Sequence, residues 1–112
     1  MLPAQMTEHV SRLRIDLVGP FNLKLQGEID LESAPELERR LHDLGPAHDV
    51  VLDAAEVEFI DSSGLRVVIS AHQDHQAAGT RLVITNPSPV VTNLLSITGL
   101  ADHLNVDLRA RP

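Results

Sequence analysis

Cysteine, tryptophan and tyrosine are absent from the 112 residues, and phenylalanine occurs only twice. The missing thiols exclude disulfides, cysteine-ligated zinc, iron–sulfur clusters and a thiol nucleophile. The missing aromatics remove the platforms on which unpaired bases stack. Positive charge is scarce as well. Nine Lys and Arg face sixteen Asp and Glu, for a formal net charge of −7, the wrong sign for a phosphate backbone. No nucleic-acid partner is expected. No apolar run approaches the ~20 residues that cross a bilayer. The first nine residues have neither a basic nor an apolar stretch, so no secretory leader and no membrane association is expected, and the default is a cytoplasmic domain. No G-x-G-x-x-G, phosphate-binding loop or G-x-S-x-G occurs, which leaves nucleotide binding and a hydrolase elbow without support.

What is present suits one folded domain. Apolar residues at 43% and charged residues at 22% can build a core, and the length allows a single domain. Residues 1–9 read as a loose lead-in, 10–108 as the domain and 109–112 as a frayed end. Arg12-Leu13-Arg14-Ile15-Asp16-Leu17 and Phe21-Asn22-Leu23-Lys24-Leu25-Gln26 alternate around Val18-Gly19-Pro20, which predicts an antiparallel hairpin. A loop is expected over 27–32. Ser33-Ala34-Pro35-Glu36 has the spacing of a capping box. Leu37, Leu41 and Leu44 then supply one apolar stripe, and Gly45-Pro46 stops the helix.

Val50-Val51-Leu52 and Leu82-Val83-Ile84 are short apolar runs, as in strands buried on both faces. Between them Leu65, Val68, Ile69 and His72 recur at helical spacing, predicting a helix from about Ser63 to Ala78 closed by Gly79. Ser88-Pro89 opens a third helix, with Ser88 as its cap. Val90 or Val91, Leu94, Leu95 and Ile97 form its apolar side, and Gly99 ends it. A weaker strand follows at 104–107. The order β-β-α-β-α-β-α-β predicts an α/β domain whose later strands are parallel.

Two clusters invite chemistry. His72 and His75 are three apart on a predicted helix, a spacing that can pair metal ligands. His72 lies on the apolar stripe, however, and no carboxylate completes a set. One half-buried and one surface histidine are expected, with no metal and no cofactor. Glu36, Glu38, Arg39, Arg40 and Asp43 read as a solvated helix face. The second cluster is Phe59-Ile60-Asp61-Ser62-Ser63-Gly64-Leu65. It joins a buried strand to a helix whose first amides lack partners, a place suited to an anion. Asp61, Ser62 or Ser63 capping that helix accounts for the same residues.

At this segment the chain resembles the STAS family, the domain of bacterial anti-sigma factor antagonists. Gly27-Glu28-Ile29-Asp30 is similar to the family's Gly-Glu-Leu-Asp element. Val50-Val51-Leu52-Asp53 is similar to its hydrophobic strand, Phe59 to Leu65 to its apolar-Asp-Ser-Ser-Gly-Leu signature, and Thr98-Gly99-Leu100 to its late Ser/Thr-Gly-Leu element. The resemblance covers roughly residues 10–108. It implies a small mixed sheet with helices mainly on one face. It implies a non-enzymatic antagonist that binds an anti-sigma factor and so releases a sigma factor. Ser62 would be the phosphoacceptor, and Asp30, Asp61, Ser62, Ser63, Gly64 and Leu65 would form the partner-binding surface. The implied partners are an anti-sigma factor with serine-kinase activity and a PP2C-type serine phosphatase. A STAS module serving as a scaffold in a stress-sensing complex, or as a transport accessory subunit, is the alternative. An enzyme using Ser62 with a His base is disfavoured, because no His flanks the motif.

Overall fold

The computed structural model describes residues 12–107; the lead-in at 1–9 and the end at 109–112 lie outside them. Five strands, β1 (Leu13–Gly19), β2 (Asn22–Ile29), β3 (Val50–Ile60), β4 (Leu82–Thr85) and β5 (Asn105–Asp107), form one sheet in sequence order. β1 and β2 are antiparallel, and every later pairing is parallel. Helices α1 (Ala34–Leu44), α2 (Ser62–Ala78) and α3 (Pro89–Thr98) make the crossovers, and a 3₁₀ turn (Leu100–Asp102) leads into β5. The predicted element order is therefore the observed one.

The helices share one face of the sheet. Leu23, Leu25 and Ile29 of β2, Val50, Leu52, Ala54 and Val57 of β3, and Leu82 and Ile84 of β4 are buried together with Leu37, Leu41, Leu65, Val68, Val91 and Leu95 of the helices. The alternate positions of the hairpin and of β3 carry charge, including a Lys24–Glu56 ion pair at 3.0 Å. A sheet with one dry face needs only alternating apolar residues, which suits a chain poor in large side chains.

Several boundaries differ from the sequence expectation. β2 continues to Ile29, so 27–29 is strand rather than loop. Its partner decides this: Glu28 pairs with Phe59 and Ile29 with Ile60. β3 spans eleven residues rather than three. Its register slips against β2 between Lys24 and Gln26 and again between Gly27 and Glu28, each time by one extra residue on β3. These bulges reset the in–out alternation and hide the strand's period of two. β4 pairs only with Val50–Asp53, so the second half of β3 has a strand neighbour on one side.

The predicted caps are also corrected. Ser33 makes no side-chain bond to α1, and Glu36 pairs with Arg39 instead of reaching back. Ser88 caps nothing through its side chain; it is buried, and its amide donates to the Ala54 carbonyl at 3.1 Å. Ile97 faces solvent at 71% exposure, so the apolar side of α3 is the buried Val91 and Leu95 with the partly buried Val90 and Leu94. His75 is buried rather than on the surface. Its Nδ1 lies 2.8 Å from Thr80 Oγ1, and that hydroxyl donates to the Pro46 carbonyl at 2.7 Å. With the hydroxyl proton used there, Nδ1 is the protonated nitrogen. Burial holds the His75 pKa below its ordinary value.

Gly27 is the tightest point of the sheet. Its φ is +105°, and a Cβ there would sit 2.0 Å from the Arg12 carbonyl oxygen. That oxygen accepts the Glu28 amide at 3.0 Å. Gly27→Ala is expected to cost more than about 2 kcal/mol, through strain and the broken approach of β1. Gly19→Ala meets only the Asn22 side chain, at 3.3 Å, and should stay within about 0.5 kcal/mol of wild type. Urea denaturation of both variants checks the contrast, and equal losses would contradict it.

Candidate functional site

The paired ends of β2 and β3 carry two aspartates into adjacent loops. Ile29 and Ile60 are register partners, and the Asp61 amide donates to the Ile29 carbonyl at 3.1 Å. Asp30 follows one strand and Asp61 the other.

Asp61 is the cap of α2. Its backbone is extended, at φ −113° and ψ −171°, and its Oδ1 accepts the amides of Ser63 at 2.8 Å and Gly64 at 3.3 Å. Its carbonyl takes the Leu65 amide at 3.0 Å. The helix thus starts one residue before the predicted Ser63, and of the three candidate caps it is the Asp61 carboxylate that serves. A carboxylate there also meets the positive end of the helix dipole.

Ser62, the first helical residue, is exposed, and its hydroxyl has no partner among the described residues. Ser63 is half-buried. Gly64 has no positive φ; what it supplies is closeness. A Cβ at Gly64 would sit 2.5 Å from Ile29 Cγ2 and 3.0 Å from Ile60 Cγ1. The first turn of α2 therefore rests directly on the two strand ends. Leu65 is buried in the core beneath it. Of the six residues singled out in sequence, Asp30, Asp61, Ser62 and Ser63 reach solvent, while Gly64 and Leu65 hold the loop from below.

Asp30 is locked by its own loop. Its Oδ1 accepts the amides of Glu32 at 3.0 Å and Ser33 at 2.9 Å. Ser33 Oγ accepts the Asp30 amide at 2.9 Å and donates to the Glu28 carbonyl at 2.8 Å. The Ser33 amide is the main cause holding the Asp30 carboxyl below its ordinary pKa, opposed in part by desolvation. Ser33 thus closes the loop, a role that its resemblance to a capping box concealed. Two further residues flank the site without a sequence signal. Leu31 is 78% exposed beside Asp30. Arg66, one turn along α2 from Ser62, lines a shallow groove with Leu31, Glu38 and Ser63.

The arrangement is a rigid platform: two strand ends, two aspartates each held by two amides on Oδ1, an exposed Ser62 hydroxyl and a half-buried Ser63. It offers a surface and a modifiable oxygen. A mixed sheet with one-sided helices and an Asp-Ser-Ser-Gly-Leu loop at a helix start is the arrangement of a STAS domain. The chain belongs to the STAS domain family, whose model matches residues 11–110. It is 32% identical over 89 residues to a Staphylococcus epidermidis protein named anti-sigma-B factor antagonist, across 78% of this chain and 82% of that one. Among solved structures, a putative anti-sigma factor antagonist of Thermotoga maritima superposes with a TM-score of 0.70 at 22% identity, over 86% of both chains. The Bacillus cell fate determinant SpoIIAA, solved in its phosphorylated form, gives a TM-score of 0.62 at 17% identity, over 87% of this chain and 92% of the other.

Asp61→Ala should lower stability by about 1 kcal/mol, the usual worth of such a cap. Gly64→Val should cost several times more, because the overlap with Ile29 and Ile60 can be relieved only by lifting α2 off the strands. Thermal melts followed by circular dichroism check the order. A Gly64→Val protein melting with wild type would mean that the contact is not tight in solution.

Proposed function

We propose that this chain is an anti-sigma factor antagonist whose partner binding is switched off by phosphorylation of Ser62. The observation that carries the reading is the free, exposed Ser62 hydroxyl at the start of α2, beside a Ser63 whose amide is tied to Asp61. The name of the Staphylococcus epidermidis relative supports the antagonist role. A solved family member in a phosphorylated form supports the modification.

In this reading the unmodified protein binds an anti-sigma factor through the surface around Asp30, Asp61, Ser62 and Ser63, and the sigma factor is released. The anti-sigma factor is also a serine kinase. Ser62 Oγ attacks the γ-phosphorus of ATP; the new O–P bond forms as the bond to the β-phosphate oxygen breaks. The serine proton leaves and ADP departs. A PP2C-type phosphatase hydrolyses the ester and restores the hydroxyl. The chain itself catalyses nothing in this cycle, which runs in the cytoplasm.

The charge change accounts for the switch. A phosphoserine carries about −1.5 to −2 charges at pH 7. The surface already presents Asp30 and Asp61, and a partner that fits the neutral hydroxyl meets added bulk and repulsion. The fold has no reason to melt, because Ser62 makes no bond that phosphorylation would break. The output is therefore exported to the interface.

Ser62→Ala should fold as wild type and bind the anti-sigma partner constitutively, while Ser62→Glu should bind more weakly, with less effect than a true phosphate. Isothermal titration calorimetry against the candidate anti-sigma factor measures both. Equal affinities would sink the switch. Incubation with that factor and ATP should label wild type but not Ser62→Ala, by mass spectrometry. Label on Ser63 of the variant at the wild-type rate would move the assignment. Binding with no labelling at all would favour a scaffold or transport-accessory role for the domain.

A further inference from the structure

We infer that Arg66 is the built-in partner of the Ser62 phosphate: once Ser62 is modified, the guanidinium folds back along α2 and holds the phosphate on this chain's own surface. The inference rests on the proposed modification of Ser62 and goes beyond it by naming what receives the charge.

A phosphate at a helix start ordinarily turns to the unpaired first-turn amides. Here the three that follow Ser62 are already taken. Asp61 Oδ1 holds the Ser63 and Gly64 amides, and the Asp61 carbonyl holds that of Leu65. A phosphate on Ser62 would also stand beside the Asp61 carboxylate, which repels it. It needs a cation. Most basic side chains of the described residues are committed elsewhere: Arg12 pairs with Glu28 at 3.1 Å, Arg14 with Asp16 and Lys24 with Glu56, both at 3.0 Å, and Arg39 with Glu36. The Arg40 guanidinium donates to the Ile15 carbonyl at 3.2 Å. The Arg66 guanidinium makes no ion pair and no hydrogen bond with the described residues.

Its position then decides the matter. Ser62 and Arg66 are four apart on α2, so they stack on one helix face about 5–6 Å apart at Cβ. Side chains on a helix lean back toward its N-terminus, which brings the guanidinium over Ser62 rather than away from it. An anion four residues before a cation is the favourable order. Phosphate accepts the planar fork of arginine through two oxygens, a fit that lysine does not offer. Arg66 is exposed and lies on the groove side together with Ser63, so it is free to swing. Before modification it holds nothing, and afterwards it neutralises part of the new charge.

The test installs phosphoserine at position 62 of the full chain by genetic encoding and titrates it by phosphorus NMR. In the wild-type protein the second phosphate pKa should lie about 0.4 pH units below that in Arg66→Gln, the size of one exposed i,i+4 ion pair. Arg66→Lys should recover part of the shift. The difference should shrink in about 1 M salt. Without phosphate, Arg66→Gln should melt with wild type. Superimposable titrations for wild type and Arg66→Gln would overturn the inference. So would a difference that survives the salt, or chemical-shift changes confined to the Ser63 and Gly64 amides, which would mean that the phosphate displaces Asp61. The phosphate is present from the start, so no kinase enters this result. Failure of the anti-sigma factor to label Ser62 would defeat the switch and leave the Arg66 pairing standing.

Discussion

The contact between Gly64 and the side chains of Ile29 and Ile60 is the constraint on which the rest of the site depends. Two parallel strands end together, and the following helix must turn back over them at once. Any side chain at position 64 would hold α2 off the sheet. Because none is there, the first turn of the helix sits low and its amides fall within reach of the Asp61 carboxylate. Ser62 is left as the most exposed residue of that turn, its hydroxyl without a partner among the described residues. The accessibility of the hydroxyl follows from the tightness beneath it.

The same packing makes the platform stiff. Asp30 and Ser33 lock the loop after β2 with four short hydrogen bonds, and Asp61 locks the loop after β3. The two locks are joined through the Ile29–Ile60 pairing and the Asp61 amide on the Ile29 carbonyl. Under the proposed function, a partner docking here would meet a preformed surface, with little loop entropy to remove on binding. In the proposed switch, a phosphate on Ser62 would sit on a loop already fixed by these bonds.

Much of this was legible in the sequence. Local spacing identified the three helices and their stops at Gly45, Gly79 and Gly99, because glycine after an apolar stripe is a local signal. The hairpin, the parallel order and the Asp-Ser-Ser-Gly loop followed likewise. What escaped depends on partners distant in sequence. The last residues of β2 are strand because β3 lies beside them, and β3 concealed its length behind two bulges. Ser33 and Ser88 have the spacing of caps, yet the strand backbone nearby claims Ser33 Oγ and the Ser88 amide. The Asp61 cap was one of three open candidates, and only the backbone angles select it. Burial of His75 depends on Thr80 and Pro46 closing over it, which no period along the helix encodes.

β4 stops opposite Asp53, and beyond that point β3 runs on beside β2 alone. A bare stretch of strand is a template on which another chain can polymerise. This one is poorly suited to that end. Its two bulges break the even spacing of the amides, and Glu56 and Glu58 stand exposed along it. Glu58, which has no ion pair among the described residues, puts a like charge in every copy and opposes stacking of identical strands. The irregularity that disguises β3 in the sequence thus also makes its edge beyond Asp53, which the Ser88 amide meets at Ala54, a poor template for a second copy.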